Sequence, residues 1–230
     1  MNTLRGWFTS VGLAAVLFLV PFAQADQVQM TFTGVGNGST GGGVYVGPYQ
    51  ATIDGQFALV VCADFSIQTN VGQTWAANVS YSGGDISDTR QAAKVGTVAA
   101  QGLYNQAAFL VEQLLATYDP TPDSADRALQ RQLSFAIWEI FTPGVIVRLG
   151  TMDQVAATGY LNQAAAYAGV ANTSLVIYTP VLASGVNAPP QEFLAIRTPE
   201  GSATILWGVH MLAALWMIVY FRRRSVRVRV

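Results

Sequence analysis

Cys62 is the single cysteine of the chain and His210 the single histidine, so nucleophilic and acid–base chemistry have few places to sit. His210 falls in an apolar run near the C-terminus. Everything before it therefore lacks a His-based proton relay, a Ser-His pair or a histidine metal site. With one cysteine no internal disulfide can form. Cys62 stands in Val61-Cys62-Ala63-Asp64-Phe65, and a second distinctive segment, Phe135-Ala136-Ile137-Trp138-Glu139, follows later. Asp64 and Glu139 are the one carboxylate pair that these segments nominate for glycan hydrolysis, which needs two carboxylates across a groove. Their more ordinary role is packing support or a hydrogen bond to neighbouring backbone. Asp119, Asp123 and Asp126 lie close together, but their spacing fits no calcium loop and suits a helix N-terminus instead. Gly34-Val35-Gly36-Asn37-Gly38-Ser39 has no Gly-Lys-Ser/Thr after it, so it is expected to be a loop and not a phosphate cradle. No cofactor is expected. Trp75, Tyr81 and Trp138 can stack on sugar rings, a role that competes with ordinary core packing.

Both ends of the chain carry sorting information. Arg5 precedes an apolar stretch over 11–20, and Ala23-Gln24-Ala25 satisfies the small-x-small rule, so 1–25 reads as a signal peptide removed by signal peptidase. At the other end Thr198-Pro199-Glu200-Gly201 leads into an uncharged apolar run over 203–221, followed by Arg222, Arg223 and Arg224. As a helix that run spans roughly 29 Å, enough to cross a bilayer once. The arginines hold its C-terminal end in the cytoplasm, which places the body outside.

A Pro-Glu motif, one apolar helix and an arginine cluster in this order resemble the PEP-CTERM sorting signal of Gram-negative bacteria. Pro199 and Glu200 match, while Gly201 stands where the family usually has a second proline. The resemblance implies recognition by an exosortase, cleavage near the motif, and passage from an inner-membrane intermediate to the cell surface or an exopolysaccharide matrix. A noncatalytic exported surface protein is the function expected from it. An ordinary retained anchor is the plainer alternative.

The two internal segments resemble a further bacterial surface class, the thioester domains of surface adhesins, which pair a Cys-x-Asp strand with a Gln-x-Ala-Ile-Trp segment. There the cysteine thiolate displaces ammonia from the glutamine amide, and the thioester can acylate a partner. In this chain the glutamine position is Ser134. Gln130 lies about 40° from Ser134 around a helix and Gln132 about 200°, so Gln130 is the better placed of the two substitutes. A covalent adhesin using Cys62 with Gln130 or Gln132 is thus one expectation. A buried, reduced Cys62 acting as a small hydrophobe is the simpler one.

These residues need elements to position them. Strands are expected over 28–33, 44–53, 57–65 and 74–81, with Asp54-Gly55 as a hairpin turn between the second and third. The second half turns helical, with an apolar stripe over 103–118 and a further helix over about 152–168. Between them a helix is expected to begin at Thr121 as its cap, with Pro122 in its first turn. A return strand is expected over 174–181. The expected fold is α+β: a single domain over 26–182 whose antiparallel β-rich half carries a packed helical segment, then a spacer over 183–197, then the sorting tail over 198–230 with a transmembrane helix. Between Asp26 and Glu200 there are 6 basic and 13 acidic residues, a formal charge of 6 − 13 = −7. Such a charge promotes solubility and argues against nucleic acid or anionic lipid as a partner. The expected partners are the processing enzymes, the membrane before processing, and a surface or exopolysaccharide matrix.

Overall fold

A computed structural model describes residues 27–181 and 190–197. Six segments form the main strands: β1 (Gln27–Gly34), β4 (Tyr49–Ile53), β5 (Gln56–Cys62), β6 (Thr74–Tyr81), β7 (Leu175–Pro180) and β8 (Phe193–Ile196). They close an antiparallel barrel in the order β1-β4-β5-β8-β7-β6, with β6 pairing back onto β1. A two-residue pair, β2 (Thr40–Gly41) and β3 (Val44–Tyr45), stands beside it as a small hairpin. Four helices follow β6 or lie between it and β7: α1 (Arg90–Val95), α2 (Thr97–Ala116), α3 (Ser124–Phe141) and α4 (Thr151–Ala165). The mixed α+β character and the antiparallel sheet match the expectation; closure into a barrel was not anticipated.

Strand β5 shows why the barrel has two cores. Val60 and Cys62 point into the barrel with Met30, Phe32, Tyr49, Trp75 and Phe193. Val61 and the following Ala63 point the other way, into a second cluster with Leu175, Ile177 and Leu194 of β7 and β8 and with Tyr104, Leu110, Leu114, Ile137 and Trp138 of the helices. A strand covered on both faces has no reason to alternate, which is why 57–65 reads as nearly continuous apolar sequence. Helix α2 lies directly on β5, β7 and β8, and α3 packs on α2 and α4.

The Asp54-Gly55 turn has positive φ at both positions, 49° and 80°. These values belong to the two-residue hairpin whose twist matches its strands, and Ile53 pairs with Gln56 across it. Asp54 also binds Gln29 of β1 through its carboxylate (2.8 Å) and its amide (2.9 Å), so the turn is pinned to a third strand. The acidic cluster serves α3 as a cap: Asp123 accepts from the amides of Ala125 and Asp126, and Asp126 returns a bond to the amide of Asp123. The cap is Asp123 and not Thr121, because Thr121 donates its amide and hydroxyl to Asp119 in a turn of its own. The strand expected over 44–53 breaks at Val46–Pro48, where Gly47 takes a φ of 100°. Helix α1 was missed, and α2 begins at Thr97, upstream of the expected 103.

The largest correction concerns the spacer. Its 190–197 part is folded, and β8 seals the barrel between β5 and β7, with Val61 opposite Leu194 and Ile177 opposite the same residue. A boundary at 182 would cut the domain through its sheet. The signal-cleavage residues Ala23 and Ala25, the motif Pro199-Glu200-Gly201, the run over 203–221 and Arg222 to Arg224 lie outside the described residues.

A chain ended after Val181 should therefore lack a cooperative thermal transition by circular dichroism, since β5 and β7 lose their shared partner and the buried Phe193 leaves both stacked neighbours, Phe32 and Trp75. An unchanged melting curve would restore 183–197 to the status of a linker.

Candidate functional site

The two segments singled out in the sequence meet in space. Trp138 of α3 donates its indole N–H to the carbonyl of Cys62 at 2.9 Å. Phe65 packs against Phe135 and Trp138 with ring centroids 5.9 and 5.3 Å apart. Phe135 and Trp138 are both buried, as are Leu133, Ile137, Ile140 and Phe141, so the C-terminal half of this helix is covered all round.

Cys62 is sealed inside the barrel, and its thiol donates to the Asp64 carbonyl at 2.9 Å. Burial pushes its pKa well up, and the nearby Asp64 charge pushes in the same direction. A thiol held protonated is a poor nucleophile. The candidate amides are engaged elsewhere. Gln130 donates to the Thr117 carbonyl at 2.9 Å and accepts from Asn37 at 3.2 Å, and Gln132 donates to Asp153 at 2.7 Å. Ser134 accepts the amide of Gly47 at 3.0 Å. Gln130 and Ser134 do share a face, as their spacing indicated, but that face is turned to Gly47, where an added Cβ would sit 3.1 Å from the Gln130 oxygen. The arrangement brings Cys62 to Trp138 and Asp64, not to a glutamine.

Asp64 and Glu139 are likewise drawn apart. Glu139 accepts the amides of Gly144 (2.7 Å) and Ile146 (3.0 Å) and so caps the turn after α3. Asp64, at the end of β5, takes the Glu192 amide at 2.7 Å and the Arg90 guanidinium on one oxygen, Oδ2. Arg90 also reaches the Pro190 carbonyl. The Cys-x-Asp pattern thus works as a clamp on the segment leading into β8.

Glu192 completes that clamp and was missed because it lay in the supposed spacer. Its carboxylate is fully buried and accepts three bonds: Tyr104 hydroxyl of α2 at 2.6 Å, Thr179 hydroxyl of β7 at 2.7 Å and the Arg90 amide at 2.9 Å. Arg90 opens α1, where backbone N–H groups have no partner within the helix, so a carboxylate is well placed there. Burial raises the pKa of Glu192, while the three donors oppose the rise.

Beside this polar knot the barrel opens into a cleft of about 420 Å³. Phe32, Tyr49 and Trp138 form its buried floor, and Tyr45 of β3 and the half-exposed Phe65 stand at its sides. Asp64, Gln68, Thr69, Asn70 and Gln191 supply polar groups, and among the described residues no lysine or arginine lines it. Its size and mixed lining suit a small-molecule site. Of the aromatics considered for sugar stacking, only Trp138 borders the cleft. Trp75 stacks on Phe193 within the barrel, and Tyr81 sits under Arg197, whose guanidinium carbon is 5.6 Å from the ring centre. Among the described residues no group of three His, Cys, Asp or Glu side chains is placed to hold a metal ion. No family model matches the chain, and no curated protein does.

Two outcomes follow from the buried groups. The folded-state pKa of Glu192 lies above the ordinary 4.5, so its favourable contribution is full below 4.5 and is lost as pH rises through the raised value. Relative to Glu192→Gln, wild-type stability in denaturant titrations should fall across that window, and Glu192→Ala, which strands three buried donors, should cost about 3 kcal/mol below pH 4.5, a cost that shrinks as pH rises through the window. A flat difference between wild type and Glu192→Gln would contradict the raised pKa. For Cys62, alkylation should fail on the folded protein and go to completion on the denatured one, and Cys62→Ala should cost about 1–2 kcal/mol. A methylamine adduct at Gln130 or Gln132 in the mass spectrum would instead reveal a thioester.

Proposed function

We propose that this protein is a noncatalytic surface or extracellular-matrix component, exported through its signal peptide and sorted by an exosortase acting on Pro199-Glu200. The observation that carries this reading is the C-terminal order of Pro199-Glu200, the apolar run over 203–221 and Arg222-Arg223-Arg224. That run spans the membrane with the arginines inside, and the body stays on the outer side until it is released. The end of β8 supports the reading. Ile196 is the last residue of the barrel, and the motif follows it at 199, so a cut there leaves every strand in the released product. The acidic, histidine-free body suits a soluble extracellular component.

Replacing Pro199 and Glu200 together with alanine leaves the hydrophobicity of the run unchanged, so insertion should proceed while processing stops and the full-length chain accumulates in the membrane fraction. Neutralising Arg222, Arg223 and Arg224 removes the cytoplasmic stop and should instead produce slipped or inverted chains. Equal tail retention in the wild type and the Pro199→Ala, Glu200→Ala variant, in a host with a working exosortase, would end the sorting proposal.

A further inference from the structure

We propose that the cleft at the mouth of the barrel binds a neutral, hydroxyl-rich glycan segment. This deepens, and rests on, the reading of the protein as a component delivered to a polysaccharide-containing surface.

Three features of the cleft point to this class of ligand. Its walls offer aromatic rings in a concave setting, and Tyr45 is 52% exposed on the little β2–β3 hairpin with no partner ring among the described residues. Flat rings of this kind cover the C–H faces of a sugar, while a tyrosine also keeps a polar tip in water. The rim offers amides: the side chains of Gln68 and Asn70 are exposed and make no hydrogen bond among the described residues. An amide both donates and accepts, as does a hydroxyl, so the two pair without a charge on either side. The third feature lies deeper. Asp64 is buried, both of its side-chain bonds fall on Oδ2, and among the described residues nothing donates to Oδ1. That oxygen is not sealed from solvent, and a carboxylate oxygen left without a protein donor beside a cleft can accept one that a ligand brings.

Charge decides which glycan. The lining carries a carboxylate and no cation, and the surrounding body is strongly acidic. Arg148, the cation nearest to Phe65, is spent on the face of that ring, 4.8 Å from its centre. A uronate-rich or sulfated chain would find no cation in this lining to pair with, since Arg90 is held on Asp64, and the acidic body would repel it. A purely apolar occupant would strip water from Gln68, Asn70 and Asp64 without replacing their bonds.

The test uses the full-length chain in a detergent without a sugar headgroup, titrated with cellohexaose, maltohexaose, mannohexaose and N-acetylchitohexaose while tryptophan fluorescence is followed. A galacturonate hexamer and the apolar dye 1-anilinonaphthalene-8-sulfonate serve as the charged and apolar alternatives. At least one neutral hexasaccharide should bind with a Kd below about 1 mM, and Tyr45→Ala and Asn70→Ala should each weaken it about tenfold. Both positions are exposed, so the barrel core is untouched. Phe57→Ala, on the β4–β5 hairpin and also exposed, should bind like wild type. The proposal is overturned if no neutral hexasaccharide saturates, if the galacturonate hexamer or the dye alone binds, or if Tyr45→Ala retains full affinity. Failure of this binding leaves tail processing untouched, and failure of processing in cells leaves the purified protein's affinity untouched, so the two ideas fall separately.

Discussion

A carboxylate sealed from water must find donors, and Glu192 finds them on three different elements. Tyr104 comes from α2, the Arg90 amide from the start of α1 and Thr179 from β7, while Glu192 itself leads into β8. Its own amide is held by Asp64 at the end of β5, and Asp64 holds Arg90. Sliding the helical layer by one residue along the barrel would strand a buried carboxyl group and its three donors, at a cost far above that of a displaced aliphatic contact. The knot therefore fixes the register between layers that hydrophobic burial alone would hold only loosely. Its role in stability is a separate matter, because replacing a buried ionic group with apolar packing can be neutral.

That fixed register is what shapes the cleft. Trp138 reaches the Cys62 carbonyl only with α3 at its present height, and the same indole forms part of the cleft floor. Gln191, next to Glu192, extends its amide to the carbonyls of Asp64 and Ile67 and so ties down the loop that follows β5. The polar rim and the aromatic floor thus share one set of anchors. The cysteine, in contrast, contributes packing: it faces the barrel interior among Met30, Phe32 and Phe193.

What could be read from the sequence was what is local. The period-two pattern of 74–81 coincides with β6, and Asp54-Gly55 announced its hairpin because few other residues accept two consecutive positive φ values. The capping role of Asp123 and Asp126 was legible from their place ahead of an apolar stripe, although the cap itself was assigned to Thr121. Strand β8 was not legible. It is four residues long, buried on both faces and set in a stretch containing glycine, asparagine and proline, so neither length nor alternation marks it. The partners of Asp64 were equally hidden, since Arg90 and Glu192 are far from it in sequence and no local pattern encodes such pairings. The cleft drew on both kinds of information. Trp138 was noticed for its residue type, while Tyr45 and Asn70 come to it only through the path of the chain.

Closure of the barrel by its final strand also dictates the order of events during synthesis. Strands β1, β4, β5 and β6 emerge first and can pair among themselves as a meander of local hairpins and one longer closure. Strand β5 must then wait, with one edge bare, until nearly the whole domain has followed, because Val61 pairs with Leu194. Pairings of such high contact order form late, and an exposed edge is a template for another chain in the meantime. The nascent protein is thus most vulnerable to association with its own copies in the interval before Ile196 appears, and any factor that shields unpaired strands would act on it in that interval.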